Sequence, residues 1–193
     1  MLGATPRAGE TRFALWSTTA EDARVVLFDP TNPAGPPLAT HPMEARGEGL
    51  FDCVLPGVGS GALYGFALDG RKLSDPFGRF FPLGVGGPAM VVEPRYEWRS
   101  APRPPPRAGE IVYELHVGAF TPEGTYAAAF DKLQELAALG VTTVELMPLT
   151  AFAGERGWGY DAAFHFAPFA PYGTPDQLRA FVDRAHTLRM SVV

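Results

Sequence analysis

Four of the six residues from Pro102 to Arg107 are proline, within the run APRPPPRAGE at Ala101–Glu110. Such a run suits neither a helix interior nor a central strand, because proline fixes φ and removes a backbone donor. It favours an extended polyproline segment. Residues 101–109 are therefore expected to be a stiff, Pro-rich linker between two domains. The sequence obeys different rules on its two sides.

Before the linker the signals are β. Arg12–Trp16, Val25–Phe28 and Leu50–Leu55 are short apolar runs. Tyr64, Phe66 and Leu68 alternate with smaller residues, and Asp69-Gly70 then offers a type I′ hairpin turn. Turn-rich stretches at Asn32–Pro37 and Pro56–Gly61 separate these runs. Several short strands with frequent turn chemistry predict a β-sandwich over residues 1–100.

After the linker the period changes. Ile111–Val117 and Val141–Met147 are strand candidates, and Met190–Val193 opens a third. Thr125 caps a predicted helix whose apolar face carries Phe130, Leu133, Leu136, Ala137 and Leu139, with Gly140 as its left-handed terminator. Thr174-Pro-Asp-Gln177 is a capping box with proline at the first helical position. Leu178, Phe181, Val182 and Ala185 form the buried face of that second helix. Strands alternating with helices predict a parallel sheet, either doubly wound or the opening of a (β/α)8 barrel. Between them, Pro148–Gly173 reads as a long loop without regular structure, at the C-terminal face where such folds carry their sites.

Composition narrows the function. Of the 193 residues, 46% are apolar and 12% aromatic, enough for a real core. The net charge of −5 excludes a basic nucleic-acid footprint. No apolar run approaches the roughly 20 residues of a membrane-spanning helix. The single cysteine, Cys53, excludes a disulfide framework and a thiolate zinc site, and reads as a small buried hydrophobe. A cytoplasmic protein with neither nucleic-acid nor membrane partner is expected.

The long loop holds Gly157-Trp158-Gly159-Tyr160-Asp161. Flat aromatic faces next to glycines suit the CH faces of sugar rings, and Asp161 supplies an acceptor for hydroxyls. Alternatively, Trp158 and Tyr160 plug the top of the core. Phosphate-cradling glycine motifs are absent, and His41, His116, His165 and His186 are too scattered to suggest a metal site. His116 reads as a core or rim histidine near the end of the first strand. Glu145 reads as a structural carboxylate within the second strand.

Ile111–Tyr126 (IVYELHVGAFTPEGTY), Val141–Phe152 (VTTVELMPLTAF) and Gly154–Leu178 (GERGWGYDAAFHFAPFAPYGTPDQL) resemble the α-amylase superfamily of glycoside hydrolases. RFALW, LYGFALDG and SDPFGRFFPLGVGGP extend the likeness through the first 100 residues. HVGAFTPEGT and GWGYD favour the branch of that superfamily that releases trehalose over the branching enzymes.

The resemblance implies an Ig-like β-sandwich of the carbohydrate-binding-module type over residues 1–100. It implies an incomplete (β/α)8 barrel over residues 110–193. Tyr160 would stack on the sugar ring at the −1 subsite, with Trp158 and Asp161 flanking it. The substrate would be an α-glucan or maltooligosyltrehalose, cleaved at the α-1,4 bond next to the trehalose unit. The mechanism would be retaining, with a carboxylate pair about 5–5.5 Å apart, and no metal or organic cofactor. In this superfamily the cleaving carboxylates lie on later strands, so no catalytic residue is expected within these 193 and the chain alone is expected to be inactive. A glucan branching enzyme and a non-catalytic glucan-binding fragment are the alternatives. Arg189 stands where relatives often have a glycine closing the second helix, a costly choice if the backbone there is left-handed.

Overall fold

The computed structural model describes residues 1–101 and 108–193, so the prolines of the expected linker lie outside the described residues. Two compact units emerge. One comprises Met1–Pro94 with Ala163–Ala167, the other Arg95–Ala162 with Pro168–Val193.

The first unit is a β-sandwich. One antiparallel sheet has the order β1–β2–β6–β5, from β1 (Gly3–Arg7), β2 (Glu10–Trp16), β5 (Glu44–Gly47) and β6 (Leu50–Pro56). The other has the order β4–β3–β7–β8, from β3 (Ala23–Phe28), β4 (Ala39–Pro42), β7 (Leu63–Leu68) and β8 (Arg71–Leu73). The short β9 (Ala89–Met90) also pairs with β7. Alternation on β2 buries Thr11, Phe13 and Leu15 while Trp16 is exposed. Phe13 meets Tyr64 edge to face, with centroids 5.0 Å apart. On β7 the run Leu63–Ala67 is buried on both faces, so the expected one-sided alternation gives way to a central strand. The predicted hairpin turn is present: Asp69 and Gly70 have φ of 48° and 81°, as a type I′ turn requires.

The second unit is α/β. Three strands run parallel in the order β10–β11–β14, from β10 (Val112–Leu115), β11 (Thr143–Leu146) and β14 (Ser191–Val192). The connections carry a four-residue helix α1 (Val117–Phe120) with α2 (Tyr126–Ala138), and then α3 (Pro175–Thr187). Leu133, Leu136, Val144, Phe181, Ala185 and Met190 are the centre of their shared core. Thr125 caps α2 by accepting from the Ala128 N–H, and Thr174 and Gln177 form the predicted capping box on α3. Tyr126 and Ala129 join Leu133 and Leu136 on the buried face of α2. Leu139, expected there, is 76% exposed because it is the C-cap and has turned off the apolar stripe.

Both long helices end in a Schellman motif. Gly140 donates to Ala137 O and Val141 to Leu136 O; Arg189 donates to His186 O and Met190 to Ala185 O. Gly140 has φ 90° and Arg189 has φ 63°, so an arginine occupies the left-handed position where glycine is favoured.

Pro148–Gly173 departs from the expected structureless loop. It contains β12 (Thr150–Phe152), β13 (Ala162–Pro168) and a 3₁₀ turn at Ala170–Tyr172. Much of the ordering of β13 is non-local. Phe164 stacks on Phe81 with centroids 4.0 Å apart, and Phe166 on Phe77 at 5.3 Å. No local pattern announces partners some 85 residues away.

Candidate functional site

Parallel strands deliver their connecting segments at their carboxyl ends. His116 leaves β10 and opens α1, its carbonyl accepting from the Ala119 and Phe120 N–H groups. Met147 leaves β11, its N–H donating to Leu115 O. The segment from Gly154 to Asp161 follows, irregular apart from bends.

Two glycines fix the course of this segment. Gly159 has φ 85°, and a Cβ there would overlap the carbonyl oxygen of Pro148. A Cβ on Gly157 would come within 2.8 Å of the Phe152 ring. Below them, Phe152 stacks on Phe169 at 3.8 Å, and Phe169 meets the edge of Tyr172 at 5.0 Å. All three rings are buried. Tyr172 then reaches His116, whose Nε2 lies 3.0 Å from the Tyr172 hydroxyl and 2.9 Å from the Gly157 carbonyl. A carbonyl only accepts, so Nε2 carries the proton and shares it between the two oxygens. Burial pushes the Tyr172 phenol above its ordinary pKa, so it stays neutral. An aromatic column thus supports the loop, and His116 ties the loop to it.

On this support the predicted residues stand outward. Trp158 is 70% exposed and Tyr160 68% exposed, and Asp161 is exposed beside them. Neither aromatic plugs the core, which disposes of that alternative. Trp158 touches His116 at its rim, with ring centroids 6.1 Å apart. A hollow of about 410 Å³ lies between Trp158, His116, Ala119 and Arg156. A second, of about 400 Å³, runs from the same His116, Arg156 and Gly157 to Glu123, Glu155 and Tyr172. The two hollows share His116, Arg156 and Gly157, with Trp158 on the first and Glu123, Glu155 and Tyr172 on the second.

Sequence reasoning placed Trp158, Tyr160 and Asp161 on one loop but missed Arg156, Glu123, Glu155 and Tyr172. Their signal is spatial: 56 residues separate His116 from Tyr172. Glu145, expected to have a structural role, is exposed on β11, level with Glu114 of β10 in the register. Cys53 is half-buried on β6 rather than buried, and its thiol is pushed up to about 11, chiefly by desolvation.

Residues 1–80 match the family described as Carbohydrate-binding module 48 (Isoamylase N-terminal domain). The malto-oligosyltrehalose trehalohydrolase of Deinococcus radiodurans is 47% identical over 195 residues, covering 99% of this chain and 31% of that protein. The likeness runs along nearly the whole of this chain. The 1,4-alpha-glucan branching enzyme GlgB 1 of Streptomyces coelicolor is 33% identical over 100% of this chain and 27% of its own length. A crystal structure from Salmonella typhimurium, of a protein provisionally assigned as an alpha amylase, superposes with a TM-score of 0.88 at 42% identity, over 100% of this chain and 32% of that one. The chain thus spans about a third of the length of the relatives it matches. Residues 1–80 thus carry a β-sandwich that matches the module-48 family, and the chain along its length is similar to proteins named as a trehalohydrolase, a glucan branching enzyme and an alpha amylase. Among the described residues no helix is long and apolar enough to cross a membrane.

Proposed function

We propose that the protein is a retaining glycoside hydrolase that cleaves the α-1,4 bond next to the trehalose unit of maltooligosyltrehalose, releasing trehalose in the cytoplasm. In this reading the first unit is the β-sandwich that accompanies a (β/α)8 barrel, with residues 101–109 as linker and β10, β11 and β14 as barrel strands. Tyr160 stacks on the glucose ring at the −1 subsite, while Trp158 and Asp161 flank it. The observation that carries the reading is the Gly157–Asp161 loop, which holds two large aromatic faces out to solvent on an ordered aromatic column. Leaving two such faces uncovered is an expense that a ligand stacked on them would relieve. The name of the Deinococcus radiodurans relative, malto-oligosyltrehalose trehalohydrolase, supports this substrate class.

Sugar rings bind such faces through their axial CH groups, and their hydroxyls hydrogen-bond to carboxylates such as Asp161. These groups bind and orient; they do not break the bond. Retention requires two further carboxylates about 5–5.5 Å apart across the scissile linkage. None of the residues assigned here fills that role, so the 193 residues are expected to grip the glucan without cleaving it.

The likeness to a branching enzyme supports a second reading, α-1,6 branch formation on amylose. Incubating the enzyme that contains this chain with maltooligosyltrehalose and, separately, with amylose decides between them. Free trehalose from the first substrate supports hydrolysis. New α-1,6 branches in the second, without trehalose release, support branching and overturn the first reading.

A further inference from the structure

His116 joins β10 to α1, and its backbone is fixed independently of its ring. Its carbonyl accepts from the Ala119 and Phe120 N–H groups, which sets where the imidazole hangs. The side chain forms no cap on its own helix. Nδ1 is buried and has no hydrogen-bond partner among the described residues. The polar contacts of the ring therefore fall on Nε2, which meets the Gly157 carbonyl at 2.9 Å and the Tyr172 hydroxyl at 3.0 Å.

The Gly157 carbonyl belongs to the peptide group that joins Gly157 to Trp158. That group is planar, so holding its oxygen fixes the plane from which the Trp158 α-carbon hangs. On the other side, Gly159 is pressed against the Pro148 carbonyl. Trp158 thus stands between two backbone anchors. Its own side chain does little to hold it: at 70% exposure it removes little apolar area from water. Its aromatic neighbour among the described residues is the His116 ring, 6.1 Å away. Two glycines let the partners converge. A Cβ on Gly118 would come within 2.9 Å of the Tyr172 ring and 3.1 Å of His116 Cε1, and one on Gly157 would strike the Phe152 ring.

Resting on the proposed glucan-binding reading, we infer that His116 is a positioning residue whose Nε2–H, through the Gly157 carbonyl, sets the aim of Trp158. It acts through the backbone of the loop rather than through the sugar. The tautomer is part of the assignment: Nε2 holds the proton, because a carbonyl only accepts. An exposed aromatic face that is already aimed spares the ligand the ordering of the loop. Loss of the tether therefore weakens binding although every group that would touch the sugar is still present.

Glutamine and asparagine separate the two ring nitrogens. The amide nitrogen of glutamine falls near the place of Nε2, and that of asparagine near the place of Nδ1. The test uses the full chain with Trp16→Phe and Trp98→Phe, so that Trp158 alone emits. In this background His116→Gln is expected to bind maltotetraose within about twofold of His116, and His116→Asn about tenfold more weakly. Without ligand, the fluorescence anisotropy of Trp158 is expected to decay faster in His116→Asn only, because its loop has gained nanosecond motion. Both variants lose the same ring, so their urea midpoints are expected to agree. A merely structural histidine would move both affinities together, so equal affinities in the two variants overturn the positioning role. Nitrogen NMR of isotope-labelled wild type at about pH 8 reads the tautomer without any substitution. A proton on Nε2 with Nδ1 bare is expected, and a proton on Nδ1 alone overturns the tether. No maltotetraose binding by the background protein overturns the glucan reading, while anisotropy and tautomer still decide the tether.

Discussion

Gly159 lies against Pro148 so closely that a methyl group on its α-carbon would overlap the proline carbonyl. Its φ of 85° is also one that L side chains rarely adopt. Gly159→Ala therefore faces two penalties at the position that aims Trp158 and Tyr160. The expected loss of stability is about 2 kcal/mol or more, read by urea unfolding. Glucan affinity is expected to fall further than stability alone explains, because the loop must lift from Pro148. An alanine variant with wild-type midpoint and affinity would show that the loop is not held there.

Arg189→Gly tests the opposite case. Arg189 occupies the left-handed residue of the Schellman motif that closes α3, and its side chain is exposed. Glycine adopts this φ without the steric cost that arginine meets. A gain of about 1 kcal/mol is expected in urea unfolding. A loss would mean that the arginine side chain contributes more than its backbone strain costs.

Asp183 on α3 fastens the chain at Arg99 and Ser100. It is 3% exposed, and it accepts from the Arg99 and Ser100 N–H groups and the Ser100 hydroxyl. Burial alone would raise its pKa, but the Ser100 hydroxyl and the two N–H groups together hold it below the usual carboxylate range. A carboxyl depressed on folding contributes stability that is present above its unfolded value, about 3.9, and is lost as pH falls through the folded value. Asp183→Asn turns one acceptor toward donors and is expected to cost about 1–3 kcal/mol at pH 7. The gap to wild type should narrow below pH ~4, measured by urea midpoints across pH. A gap independent of pH would contradict the ionised clamp.

Asp75 in the sandwich has the reverse sign. It accepts from the Tyr64 hydroxyl at 2.7 Å and from the Phe77 N–H at 2.8 Å, yet its burial outweighs both and raises its pKa. A carboxyl raised on folding costs stability as pH climbs from the unfolded value through the folded one. Tyr64→Phe removes a donor and raises it further. The variant is expected to lose about 1–3 kcal/mol at neutral pH, and less in acid, where Asp75 is protonated. An equal loss at both ends of the range would contradict this.

Features written in neighbouring residues were legible in the sequence. Thr125, Thr174-Pro-Asp-Gln177, Gly140 and Asp69-Gly70 each announce a local backbone event, and each occurs where expected. Strands that depend on distant partners were not. β1 carries a glycine and a proline and is ordered by pairing with β2, while β13 owes its aromatic packing to Phe77 and Phe81. The same holds for the site. GWGYD was visible as a motif, but its support by Phe152, Phe169, Tyr172 and His116, and the two hollows beside it, arise only when three separate segments meet.

The central claim is that Trp158 and Tyr160 grip glucose rings. Tryptophan fluorescence tests it most directly, because the chain has three tryptophans, Trp16, Trp98 and Trp158, and only one is on the loop. Titration with maltotetraose is predicted to give a saturable change that vanishes in Trp158→Phe, with affinity reduced about tenfold or more in Tyr160→Ala. A change that survives Trp158→Phe, together with unaltered affinity in Tyr160→Ala, would contradict it.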